Sequence, residues 1–195
     1  MEKPLCVGID FGAKLAGTTA VCMGHAGGQL ELMATKKGQD ADRFLEQTLR
    51  LNGPVLICID APLSLPMAYV KPMESPDFFY RQADREAKAM SPLFLGGLTA
   101  RACKLAHRWR QQKWTVIEGY PGGLVQDMKP GIEYKKDKSG LVPFMQHISQ
   151  EIKQDLPNVE SWHEVDAILA WWIACKYVEG KARGIGNQEE GKLWI

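Results

Sequence analysis

Three runs of apolar residues each end on an acid: residues 5–9 before Asp10, 55–59 before Asp60, and 115–117 before Glu118. Short apolar runs bounded by turn formers predict strands, and the unbroken run at 55–59 predicts one buried on both faces. Between the first two runs, residues 17–23 are β-branched and apolar, and residues 29–35 alternate polar with apolar, as expected of a strand with one wet face. His25-Ala-Gly-Gly28 supplies the turn between them, so the first three strands predict a meander. Ala41, Phe44, Leu45 and Leu49 then follow helical spacing behind Asp40 or Asp42, either of which can cap the helix. Asn52-Gly53-Pro54 stops it.

From 62 to about 96 the pattern is broken by Pro62, Pro66, Pro72, Pro76 and Pro92, leaving one short helical stretch at 81–88. A segment of that length before the next major helix is more often functional than decorative. Leu98, Ala102, Leu105, Ala106 and Trp109 make the buried stripe of that next helix, with Arg101, Lys104 and Arg108 on another face. After the fifth strand, residues 119–123 predict a turn, 129–140 a basic loop, and 142–155 a weaker helix. Ser161-Trp-His-Glu164 is a capping box. It opens a helix that is apolar on nearly every side through 169–175, which predicts that the helix packs inside the molecule. The order is βββαβα, then βα and a final helix ending at Gly180. The tail from 181 is Gly-rich and charged. A meander followed by strand–helix alternation predicts an α/β fold, a mixed sheet with helices on its faces.

A length of 195 residues suits one domain, and no repeat or linker divides it. The expectation is a single domain over 1–195 with an irregular insertion at about 62–96. The formal net charge of +1 argues against a protein that coats nucleic acid through its overall charge. Five cysteines without CxxC spacing, four of them in apolar stretches, favour a reducing compartment. The first apolar run is cut by Asp10, which argues against a signal peptide, and no run reaches membrane-spanning length. Together these predict a cytoplasmic protein without membrane contact.

If the first and fourth strands are parallel neighbours, their tips lie about 5 Å apart. Asp10 and Asp60 then end side by side, and the fifth strand adds Glu118. The crevice beyond the C-terminal strand ends is where open α/β sheets bind ligands. Asp166 lies one turn inside the last helix, and the small Ala170 one turn on lets that helix approach the sheet, so Asp166 could close the cluster. His163, three residues earlier, shares nearly the same face and could act as general acid or base, or touch a phosphate. Grouped carboxylates repel unless a cation neutralises them, and all-oxygen ligands suit Mg²⁺ or Mn²⁺. Two such ions about 3.5–4 Å apart could activate water and stabilise the leaving oxygen of a phosphodiester.

Each residue alone has a plainer reading. Asp10 and Asp60 could be turn residues, Asp166 could answer the helix dipole, and His163 could be a surface residue. What favours chemistry is that every acid ends an apolar run in a topology that gathers the tips. The basic residues Arg101, Lys104 and Arg108, and Lys135, Lys136 and Lys138, could track phosphates or simply face solvent. Arg81 and Arg85 could bind substrate phosphate or form an ion-paired helix. Neither a dinucleotide nor a P-loop fingerprint occurs.

With these residues in view, the chain resembles ribonuclease H-like proteins, and more narrowly the predicted nucleases of domain-of-unknown-function family 429. The stretches that carry the likeness are Gly8-Ile-Asp10-Phe-Gly12, Ile59-Asp60-Ala-Pro-Leu-Ser-Leu-Pro66, Arg81-Gln-Ala-Asp84-Arg85-Glu86, Glu118-Gly-Tyr-Pro121 and His163-Glu-Val-Asp166-Ala167. The resemblance implies a five-stranded mixed sheet, order 3-2-1-4-5, with the second strand antiparallel and helices on both faces. It implies a metal-dependent phosphodiesterase site like that of the Holliday-junction resolvases, with Asp10, Asp60 and Asp166 holding Mg²⁺ or Mn²⁺ and Glu118 extra to the pattern. Nucleic acid or a nucleotide would be the partner. Two other classes stand beside it. The first strand and turn also resemble the phosphate loop of actin-like and sugar-kinase folds, which would make the chain a nucleotide-binding module, completed by a homodimer. The fold could also serve a non-catalytic binding protein with a structural cation.

Overall fold

The structure is a computed structural model that describes residues 4–54, 56–129, 131 and 133–195. Val55, expected to open the fourth strand, lies outside the described residues, as do 130 and 132 of the expected basic loop. The strands are β1 (Cys6–Asp10), β2 (Ala20–Gly24), β3 (Glu31–Ala34), β4 (Leu56–Asp60), β5 (Thr115–Gly119), β6 (Gly184–Ile185) and β7 (Leu193–Trp194). The helices are α1 (Ala41–Asn52), α2 (Gln82–Ala87), α3 (Pro92–Leu95), α4 (Gly97–Gln111), α5 (Pro121–Met128), α6 (Leu141–Ile152) and α7 (Trp162–Val178).

The sheet runs β3-β2-β1-β4-β5-β7-β6. β2 is antiparallel to both its neighbours, whereas β1, β4 and β5 are parallel. The order 3-2-1-4-5 with an antiparallel second strand is that of a ribonuclease H-like core. The tail, which carried no expected element, adds β7 parallel to β5 and β6 antiparallel to β7. Both strands are two residues long, too short to show a period in the sequence.

Strand alternation divides the core into two layers. Val7, Ile9, Val21, Ile57, Ile59 and Val116 pack with Leu45 and Leu49 of α1 and with Leu105 and Trp109 of α4. Cys6, Cys22, Leu56, Cys58 and Ile117 pack on the other face with α7, α5 and α6. α7 is apolar all round because it lies across β1, β2 and β4 with α5 and α6 flanking it. Gly8 makes that approach possible. A Cβ there would fall 1.9 Å from the backbone nitrogen of Trp171 and 2.2 Å from the carbonyl oxygen of Ala167. The Trp171 indole N–H donates to the Gly24 carbonyl at 3.0 Å and ties the helix to the end of β2.

α5 replaces the turn expected at 119–123. Pro121 sits at the first helical position, where its missing N–H costs nothing. The two glycines after it read as turn formers, but Gly123 is there for space: a Cβ would meet the Tyr120 ring at 2.5 Å. α3 was likewise hidden among the prolines of the 62–96 segment, again with proline at its start. α1 is capped by Asp40, which accepts from the Asp42 and Arg43 N–H groups, and closed by Gly53 in the left-handed region. Within the described residues, no helix is long and apolar enough to cross a membrane.

Candidate metal centre

Asp10 and Asp60 are register partners at the tips of β1 and β4. Both follow the even-numbered face of their strands, with Cys6, Gly8, Leu56 and Cys58, so both side chains emerge on the α7 side. Because Gly8 lets α7 settle on β1, Asp166 in the first turns of that helix comes down beside them. Asp10, Asp60 and Asp166 each offer a carboxylate oxygen within 4.8 Å of the other two.

The Ser161–Glu164 capping box starts α7, with the Glu164 N–H donating to Ser161 Oγ at 3.3 Å and the Ser161 N–H donating to Glu164 Oε2 at 2.9 Å. It presents His163 at the rim. His163 Nδ1 lies 2.7 Å from Asp10 Oδ2, and its side chain is 49% exposed. That hydrogen bond to Asp10 pushes the imidazole pKa up, against the opposing effect of partial burial.

Asp166 is fully buried. Burial pushes its carboxyl up to about 6; Lys135 pulls it down, and the charge of Asp10 pushes it up further. Asp60 is pushed well above the usual carboxylate range by burial, then by the charges of Asp10 and Asp166. The cluster is therefore short of positive charge.

Two residues outside the expected set reach into it from the loop before α6. The Tyr134 hydroxyl donates to Asp166 Oδ1, and Lys135 Nζ makes an ion pair with Asp166 Oδ2. Oδ2 is buried, and among the described residues the Lys135 ammonium is the one partner it has. Burial alone would lower the Lys135 pKa, but Asp166, Asp60 and Asp10 together hold it above its ordinary value. Tyr134 carried no signal in the sequence, and Lys135 read only as one of a basic run.

The donor set suits a hard divalent cation. It is all oxygen, it carries excess negative charge, and one of its carboxylates is fully buried.

The other expected site residues are placed elsewhere. Glu118 pairs in register with Ile59, not with Asp60, and so emerges on the opposite face of the sheet from the cluster. There it meets Arg81, which is 1% exposed. The Arg81 guanidinium donates to Glu118 Oε1 at 2.6 Å and Oε2 at 2.7 Å, to Asp84 at 2.7 and 3.1 Å, and to Ser64 Oγ at 2.8 Å. All five of its N–H donors are engaged. Glu118 Oε2 also accepts the Leu63 N–H at 2.8 Å. Burial pushes the Glu118 carboxyl up despite these bonds. This network, with Glu190 accepting the Met67 and Gln82 N–H groups at 2.7 Å each, fastens the 62–96 segment to β5 and the C-terminal strands.

Arg101 is bound to Asp42 at 2.6 Å and to the Gly12 carbonyl at 3.1 Å, with its guanidinium 4.6 Å from the centre of the Phe11 ring. It braces the turn after β1. In that turn, Gly12 is required for space against Thr18 rather than for a left-handed backbone. Arg85 is on the surface, paired with Asp77 at 2.7 Å and stacked over Tyr80. Lys104 is exposed on α4. A cavity of about 100 Å³ opens beside Asp60 and is lined by Pro62, Met90, Leu95 and Tyr120. A larger one, about 860 Å³, lies between the β2–β3 turn and the end of α6 and shares no residue with the carboxylates.

No family model matches the chain, and no curated protein does. Among solved structures, the chain is similar to the Thermus thermophilus RuvC structure, with 14% sequence identity and a TM-score of 0.44 over 91% of this chain and 97% of that one. A likeness of that size says nothing of activity or substrate.

Proposed function

We propose that the protein is a divalent-metal-dependent phosphodiester hydrolase acting on nucleic acid, with Asp10, Asp60 and Asp166 holding Mg²⁺ or Mn²⁺. One observation carries this reading: three carboxylates converge within 4.8 Å at the strand tips, one of them on a fully buried side chain. A divalent ion bound there supplies an activated water and neutralises charge that develops on the phosphoryl oxygens.

The chain's own residues do the rest. Asp10 orients His163, whose half-exposed ring would deliver a proton to the departing oxygen. Tyr134 fixes the rotamer of Asp166 through its hydroxyl. Arg81 and Glu118 act at one remove, holding the 62–96 segment in place beside β4. That segment exposes Phe78, Phe79 and Phe94, ring surfaces on which unpaired bases would stack. Lys104 on α4 and Lys136 in the loop after Tyr134 would meet phosphates. The free cysteines fit a reducing compartment, and we place the protein in the cytoplasm.

The test is cleavage of a panel of single-stranded, duplex and branched DNA and of RNA, with Mn²⁺ or with excess chelator. Cleavage should require the metal and fall at least about 100-fold in Asp60→Asn. Equal cleavage by that variant, or cleavage that persists in chelator, would refute the proposal.

A further inference from the structure

Both oxygens of Asp166 are held from a single loop, by two neighbouring residues of different standing. Tyr134 is fixed. Its ring stacks on Phe144 of α6 with centroids 5.4 Å apart, and meets Trp162 of α7 edge-on at 5.5 Å. The Trp162 indole in turn donates to the Asp137 carbonyl at 2.9 Å, so the loop is pinned to the start of α7. Lys135 is held more lightly, with its ammonium 5.1 Å from the centre of the Tyr134 ring. Its side chain is 46% exposed, and it reaches Asp166 from a backbone in the left-handed region, φ 62°, which is uncommon for a residue with a side chain. Its ammonium is the one partner that Asp166 Oδ2 has among the described residues.

We infer that Lys135 is the resident counter-ion of the carboxylate cluster, and that a divalent cation enters by replacing its ammonium on Asp166 Oδ2. The inference rests on the metal reading above and adds to it a competition between the metal and a side chain of the protein. Among the described residues, three carboxylates face one ammonium and, on Asp10, the His163 imidazole. A divalent ion brings twice the charge to the same oxygens, and two cations on one carboxylate oxygen repel each other strongly in a partly buried site. One of them must leave. The ammonium is the one with a route out, because its side chain is half-exposed. Tyr134 stays and keeps Asp166 aimed while the exchange occurs. The cluster is thus never bare: without metal it is partly neutralised from within, at the expense of metal affinity.

Two measurements decide this. The first is calorimetric titration of Mn²⁺ into the wild type, Lys135→Met and Lys135→Arg at neutral pH. Lys135→Met, which keeps the length of the side chain and removes its charge, should bind Mn²⁺ at least about tenfold more tightly, and Lys135→Arg should stay near the wild type. The second needs no variant. The wild-type chain is labelled with an amine-reactive ester, with and without Mn²⁺, and the modification at Lys135 is read by peptide mass spectrometry. Labelling at Lys135 should rise several-fold on adding the metal. Equal or weaker binding by Lys135→Met, or labelling that falls with Mn²⁺, overturns the inference and leaves the metal site standing. No binding by any of the three proteins overturns both.

Discussion

The same end of the sheet holds two groups of acids on opposite faces, and they are solved in opposite ways. Glu118 and Asp84 close on one guanidinium whose donors are all used, at 1% exposure. Among the described residues, Asp10, Asp60 and Asp166 converge with a half-exposed ammonium, an imidazole and the Tyr134 hydroxyl to answer them. The first group is locked and has no capacity left for a ligand. The second is under-satisfied, which in a folded protein costs stability unless something is bound. Buried charge alone therefore does not mark a functional site; the shortage of partners does.

Breaking the locked group should have the largest effect. Arg81→Ala leaves Glu118 and Asp84 buried without their counter-charge, and should cost about 3–5 kcal/mol in denaturant unfolding. Gly8→Ala attacks the other group from a distance. Its methyl would collide with the α7 backbone, so stability should fall by about 2–3 kcal/mol, and Mn²⁺ affinity should fall with it because Asp166 moves away from β1.

Relieving the under-satisfied group should do the reverse. The carboxyl of Asp166 is raised to about 6 in the fold, so the native state binds this proton more tightly than the unfolded chain does. Its contribution to stability therefore falls as pH rises from the ordinary carboxylate range through about 6, and the full penalty is present above that. Asp166→Asn in metal-free buffer should accordingly gain about 1–3 kcal/mol at pH 7–8. The gain should shrink as pH is lowered from 6 toward 4. Thermal unfolding across that range, with chelator present, checks both the sign and the window. The smallest effect belongs to Ser161→Ala. Loss of the α7 cap should cost about 1 kcal/mol and loosen His163, which lies nearer the frayed end than Asp166 does.

The central sheet was legible because β1 and β4 are apolar runs, and because residues 29–35, at the end of the meander, alternate as an edge strand should. The grouping of Asp10 with Asp60 followed from the same pattern: each stands at the end of its run, on the same parity as the residues that face α7. Glu118 shows where the pattern runs out. It too ends an apolar run, but the register of β5 against β4 sets it beside Ile59, and one residue of register reverses the face. Nothing in the local sequence fixes that register. Arg81 looked like a ligand for phosphate because a buried arginine and an exposed one have the same neighbours in sequence; only the fold brings Glu118 to it. α5 was hidden by the glycines after Pro121, whose reason is the Tyr120 ring packed against them. Tyr134 and Lys135 reach Asp166 from 32 and 31 residues away in the chain, in a loop without periodicity.

The central claim is that the three carboxylates form a cation site. Calorimetric titration of Mn²⁺ into the wild type beside Asp10→Asn tests it most directly. Asp10 sits at the rim and is exchanged for a residue of the same shape, so the fold should survive, as circular dichroism would show. The wild type should bind the metal, and the variant should bind it at least about 100-fold more weakly or not at all. Equal binding by the two proteins would place the metal elsewhere and contradict the account.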